Sequence, residues 1–94
     1  MIVYEQDNLG FIVGFLEFEI VNDLGQFENY GKYIYVQGGW IHPTLRNTEV
    51  IKKLIRKIDS HEFCHNSQWV YWRRGKYNRL SKPFPRERLA KLGA

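Results

Sequence analysis

Ninety-four residues are enough for one domain and too few for two, so residues 1–94 are expected to form a single domain. A hydrophobic fraction of 44% with 16% aromatics excludes a disordered chain. The single cysteine, Cys64, excludes an internal disulfide framework.

A lone thiol suits a reducing compartment. No run of about 18 apolar residues occurs, so neither a membrane span nor a membrane partner is expected. Met1 to Val3 leads directly to Glu5 and Asp7 without the basic start of a signal peptide. The chain is therefore expected to be cytoplasmic. The net charge of +4 is unevenly placed. Residues 1–30 carry six acids and no Lys or Arg, whereas residues 73–94 carry eight bases against the single acid Glu87. That basic end suits a phosphate-bearing partner, nucleic acid included, or else the two ends lie together and neutralise each other.

Residues 1–5 read as a short strand, and Asp7, Asn8 and Gly10 supply turn chemistry. Residues 11–21 read as a second strand, completing an antiparallel hairpin. Ile12, Leu16, Phe18 and Ile20 form one apolar face. Phe11, Val13 and Phe15 on the other face give way to Glu17 and Glu19, so the first half is expected to be buried on both sides. Residues 22–32 hold Gly25 and Gly31 and read as a loop or the end of an extended hairpin. Residues 33–41 form the next strand, interrupted by Gly38-Gly39, a pattern of bulges or of close backbone approach by a ligand. It ends at His42-Pro43, because proline cannot donate to a ladder.

The spacing predicts an amphipathic helix over 48–59, capped by Asn47 or Thr48, with Ile51, Leu54, Ile55 and Ile58 turned to the core. Residues 60–67 connect it to an aromatic strand at 68–72. Pro85 suits the first turn of a short final helix that stops before Gly93. The fold class is therefore α+β: a mixed, mainly antiparallel sheet with one helical crossover and a short C-terminal helix. The strand at 68–72 is expected to run parallel to that at 33–41.

Three stretches of this order resemble the GCN5-related N-acetyltransferase superfamily. Ile12-Val13-Gly14-Phe15 after a polar turn is similar to its central hairpin. Trp40-Ile41-His42-Pro43-Thr44-Leu45-Arg46 looks like the end of its fourth strand and the loop beyond. The helix with Leu54-Ile55 follows at once. The resemblance implies transfer of an acetyl group from acetyl-CoA to an amine. It implies a splayed strand whose edge at Trp40, Ile41 and His42 pairs with the pantetheine arm. It also implies a pyrophosphate cradle at Arg46, Asn47, Thr48, Glu49 and Val50, where backbone N–H groups meet phosphate. Tyr77 stands where family members often place a tyrosine that protonates the departing thiolate. Glu49 and Ile51 depart from the pattern, occupying positions where the family has glycine and a small residue. The hairpin is not preceded by the family's usual strand and helices, so a homodimer is expected to cover the exposed edges and apolar surface.

Other residues invite chemistry less directly. Glu17 or Glu19 could take a proton from an amine, or simply solvate a strand face. His61, Cys64, His65 and His42 include zinc-ligand types, but their spacing matches no standard finger. Trp69, Tyr71, Trp72 and Tyr77, mixed with Arg73, Arg74, Lys76 and Arg79, suit stacking on single-stranded nucleic acid, holding the adenine and 3′-phosphate of CoA, or a core strand with Trp69 and Tyr71 inward. The alternative function is thus a non-catalytic binding module on the same scaffold, using this basic aromatic tail for nucleic acid or an acidic protein.

Overall fold

A computed structural model of the chain describes residues 1–45, 49–74 and 79–94, and its fold is α+β. Strands β1 (Ile2–Gln6) and β2 (Ile12–Val21) form the expected hairpin. Its turn is closed by the Asp7 carboxylate, which accepts from the N–H groups of Leu9 and Phe11 at 2.9 and 3.0 Å, with Gly10 at φ +88°. Strand β3 (Tyr33–Ile41) pairs antiparallel with β2. Helix α1 (Glu49–Asp59) then crosses over to β4 (Trp69–Arg74), which runs parallel to β3. Two short strands, β5 (Arg79–Leu80) and β6 (Phe84–Pro85), pair with β4 and lead into α2 (Arg86–Leu92). Among the described residues the sheet has six strands, in the order β1-β2-β3-β4-β5, with β6 also against β4.

Both helices pack on one face of this sheet. Phe18 and Ile20 of β2, Ile34 and Val36 of β3 and Val70 of β4 form one buried cluster with Ile58 of α1 and Leu89 of α2, and Leu54 of α1 is buried near Gly14 of β2. Each such side chain contributes about 1.5–3 kcal/mol when withdrawn from water. The helical spacing thus places Leu54 and Ile58 correctly, but Ile51 and Ile55 are only half-buried. Gly14 lets α1 approach closely: a side chain there would press on Val50 and Leu54.

Two expectations are overturned. The first half of β2 is not buried on both sides: Phe11 is 68% and Ile12 53% exposed, because α1 and α2 cover the sheet further along and on one face only. Trp69 and Tyr71 do not face the core either. Fully buried Val70, opposite Ile34, sets the phase of β4, and strict alternation sends its neighbours to the other face. There Tyr71 stacks on Tyr35 at 4.8 Å and meets Tyr33 edge-on at 6.0 Å. Burial, with Tyr35 and Tyr33 alongside, holds the Tyr71 hydroxyl above its ordinary range against the opposing pull of Arg73.

One base of the tail is part of the fold. Arg86 reaches back to the end of α1, where its Nε donates to the Asp59 carboxylate at 3.1 Å and its Nη2 to the Asp59 carbonyl at 2.7 Å. Its Nη1 donates to the carbonyls of Cys64 and Ser67. A planar guanidinium satisfies several carbonyls left open where a helix stops.

Candidate functional site

The site follows from where β3 and β4 part. They pair from Tyr33 opposite Trp69 to Val36 opposite Trp72. Beyond that point β4 turns to β5, with Arg73 opposite Leu80, while β3 continues beside β2. The register of β2 and β3 slips here: Phe18 opposes Val36 but Glu17 opposes Gly38, leaving Gln37 as the extra residue. A bulge bends the strand and raises its local twist, which carries β3 away from β4. The strands were expected to separate near Ile41 through a bulge at Gly38-Gly39; the bulge falls at Gln37 and pairing already ends at Val36. Gly39 has a role of its own: a Cβ at that position would run into the Phe15 carbonyl oxygen and the Leu16 side chain.

Parting exposes backbone. The His42 N–H donates to the Val13 carbonyl at 2.9 Å, so the peptide groups of His42 and Trp40 point toward β2. By strand alternation those of Gly39 and Ile41 point the other way. Among the described residues no strand pairs with that edge. It borders a cleft of about 710 Å³ on the helical side of the sheet. The cleft's walls include Leu16, Val36, Ile51, Ile55, Trp72 and Leu89, and Arg73 is the one charged residue lining it among those described. The Arg73 Nε donates to the Tyr35 hydroxyl at 3.0 Å.

The site residues expected from the sequence are divided by this geometry. Trp40 and Ile41 border the cleft, with the Trp40 ring 6.5 Å from that of Phe15. His42 instead closes the following turn: its Nδ1 lies 2.8 Å from the Thr44 hydroxyl and its carbonyl accepts from the Leu45 N–H. Glu49 and Val50 open α1. The Glu49 carboxylate lies 3.5 Å from the Lys52 ammonium and 3.8 Å from the Arg56 guanidinium, so its charge is offset by the helix's own bases. Arg46, Asn47, Thr48 and Tyr77 lie outside the described residues.

The remaining candidates fall elsewhere. Glu19 binds the N-terminal ammonium at 2.6 Å, and Glu17 sits on the sheet face opposite the helices. Among the described residues no cluster of His, Cys, Asp or Glu could hold a metal ion. Cys64 is fully buried, and that burial pushes its thiol up to about 11, which makes it a poor nucleophile. Of the acids near the start of the chain, Glu5 pairs with Lys57 of α1 and Asp23 with Lys32. Sequence reasoning missed Leu89 and Leu92 as parts of the cleft. Only the double glycine carried a signal for it, because wall residues of this kind look like ordinary core. No helix among the described residues is long and apolar enough to cross a membrane. Comparison of the chain with protein-family models, curated proteins and solved structures finds no match.

Proposed function

We propose that this chain is an acetyltransferase-like domain that binds CoA or acetyl-CoA in the cleft between β3 and β4. The observation that carries this reading is the separation of the two strands after Val36 and Trp72. It leaves the peptide groups of Gly39 and Ile41 facing a preformed apolar cleft beside the strand that leads to α1. A pantetheine arm is a short chain of amides and methylenes. It needs backbone partners along one side and apolar wall on the other, and the cleft offers both. In this reading Arg46, Asn47 and Thr48 join the start of α1 in holding the pyrophosphate, where helix N–H groups favour an anion. Trp40 and Ile41 flank the arm, and Tyr77 supplies the proton for the leaving thiolate when acetyl passes to an amine. A single buried thiol suits a reducing, cytoplasmic setting.

The alternative, a binding module that engages nucleic acid or an acidic protein through its tail, draws support from exposed Arg79, Lys82, Arg88 and Lys91. Against it, Arg86 is bound within the fold, and one face of Tyr71 is occupied by Tyr35. Calorimetric titration with acetyl-CoA, set beside single-stranded oligonucleotides, separates the two. Saturable acetyl-CoA binding supports the first reading, and oligonucleotide binding alone supports the second.

A further inference from the structure

The free edge of β3 accounts for only one side of the cleft. Opposite it stand Ile51 and Ile55 of α1 and Leu89 and Leu92 of α2, with Val36 and Trp72 behind. None of these side chains except the Trp72 indole can form a hydrogen bond. Both ends of α2 are anchored to α1. Gly93, just after α2, lies so close to α1 that a side chain there would press on Ile55 and Arg56. Arg86 ties the start of α2 to the end of α1. The two helices are therefore fixed at both ends of α2, while the space between Ile51, Ile55 and Leu92 stays open.

An amide-bearing arm uses the Gly39 and Ile41 edge but leaves the exposed parts of Ile51, Ile55 and Leu92 uncovered. An acetyl group, with a single methyl, adds little to cover them. From this geometry we infer that the thioester ligand carries a medium-length hydrocarbon acyl chain, lying between Ile51, Ile55, Leu89 and Leu92. The inference rests on the CoA-binding reading and narrows its ligand class. A volume of about 710 Å³ accommodates such a chain together with the arm. Full burial of a methylene strengthens binding roughly fourfold, and a cleft open on one side realises about half of that in free-energy terms, roughly twofold per methylene.

The test is a calorimetric series on the full chain with CoA, acetyl-CoA, butyryl-CoA, octanoyl-CoA and free octanoate. Affinity is expected to rise along the acyl series, reaching at least about tenfold from acetyl- to octanoyl-CoA. Free octanoate is expected to bind more weakly than octanoyl-CoA, because it lacks the arm that pairs with β3. Ile51→Phe, which puts a ring into the open space, is expected to flatten the series. Leu92→Ser, at a half-exposed position of the wall, is expected to reduce its slope without touching the core. Equal affinities from acetyl to octanoyl would overturn the chain-length inference and leave CoA binding standing. Octanoate binding as tightly as octanoyl-CoA overturns it too, since the chain would then be the whole ligand. Absence of binding by every thioester overturns the inference together with the reading beneath it.

Discussion

Val36 and Trp72 are the last residues at which β3 and β4 stay paired, and everything proposed for the cleft depends on what happens one residue later. At Gln37 the β2–β3 register slips, Gly39 then fits against Phe15 and Leu16, and the edge of β3 is freed. The two glycines that follow the bulge are not equivalent. A Cβ at Gly39 collides with the Phe15 carbonyl and Leu16, whereas one at Gly38 meets no atom within 4 Å. Gly39→Ala is expected to destabilise the fold by about 1–3 kcal/mol, as overpacking does. Gly38→Ala is expected to stay within about 0.5 kcal/mol of the parent or to gain slightly from a stiffer unfolded chain. Urea unfolding of the two variants checks this, and equal effects would contradict it.

Arg86 is the base of the tail whose loss is expected to weaken the fold. Arg86→Ala leaves the Asp59 carboxylate and the carbonyls of Asp59, Cys64 and Ser67 without their donor. A hydrogen bond to a charged group is worth about 1.5–3 kcal/mol, and a loss of that order is expected in urea unfolding. Arg86→Lys should recover only part of it, since an ammonium cannot reproduce the planar fork. Arg88→Ala, at an exposed position whose guanidinium lies over the Phe84 ring, should cost much less.

Much of this architecture was legible in the sequence, and the exceptions have physical causes. Alternation and turn residues marked the hairpin, and a period of 3.6 marked α1, because local geometry sets those patterns. The phase of β4 was not legible. Trp69-Val70-Tyr71-Trp72 is apolar on both faces, so only pairing with Ile34 decides that Val70 points inward. Exposure of Phe11 and Ile12 was hidden for a related reason: apolar side chains imply burial only where another element arrives to cover them. The cleft was anticipated from Gly38-Gly39, but its walls on α2 depend on tertiary packing that no local pattern encodes.

Cys64 gives the fold a defined alkaline sensitivity. Burial raises its pKa from an ordinary 9.0 to about 11, so the folded state favours the neutral thiol. The stabilisation is complete below the unfolded value and is lost as pH rises through the folded one. Between those limits the parent should lose stability with pH more steeply than Cys64→Ala, although the variant starts lower because of its cavity. The native thiol should also resist a thiol-specific reagent until the protein unfolds. Rapid labelling of the folded chain would contradict the account.

Lys57 guards the outer edge of the sheet. Met1 and Phe18 exchange backbone bonds at 2.8 and 2.9 Å, so the odd residues of β1 face β2 and Tyr4 faces outward. The Lys57 ammonium accordingly donates to the Tyr4 carbonyl at 2.6 Å and pairs with Glu5 at 2.8 Å. A lysine placed this way blunts an edge against pairing with another chain. With Ile2, Tyr4, Phe11 and Ile12 exposed, we expect weak self-association of the parent and stronger self-association of Lys57→Thr. Sedimentation equilibrium checks this, and two monomers at high concentration would contradict it.

Glu49 tests the phosphate end of the cleft. Its carboxylate sits in the first turn of α1, where an anionic ligand would compete with it for the helix N–H groups. Replacing it with glycine removes that charge and frees Lys52 and Arg56 from their present partner. The variant should bind CoA more tightly than the parent, despite a helix-propensity cost of about 1 kcal/mol at most. The gain should shrink as salt is raised. Unchanged affinity at low salt would place the pyrophosphate elsewhere.

The most direct test of the central claim is an amide chemical-shift titration of the full chain with CoA. Saturable shifts are expected at Gly38, Gly39, Trp40 and Ile41, at Trp72 and Arg73 across the cleft, and in the first turn of α1, with Val21 and Tyr33 at the far end of the β2–β3 pair unmoved. No shift at millimolar CoA, a concentration that detects binding as weak as about −4 kcal/mol, would contradict the assignment of the cleft as a CoA site.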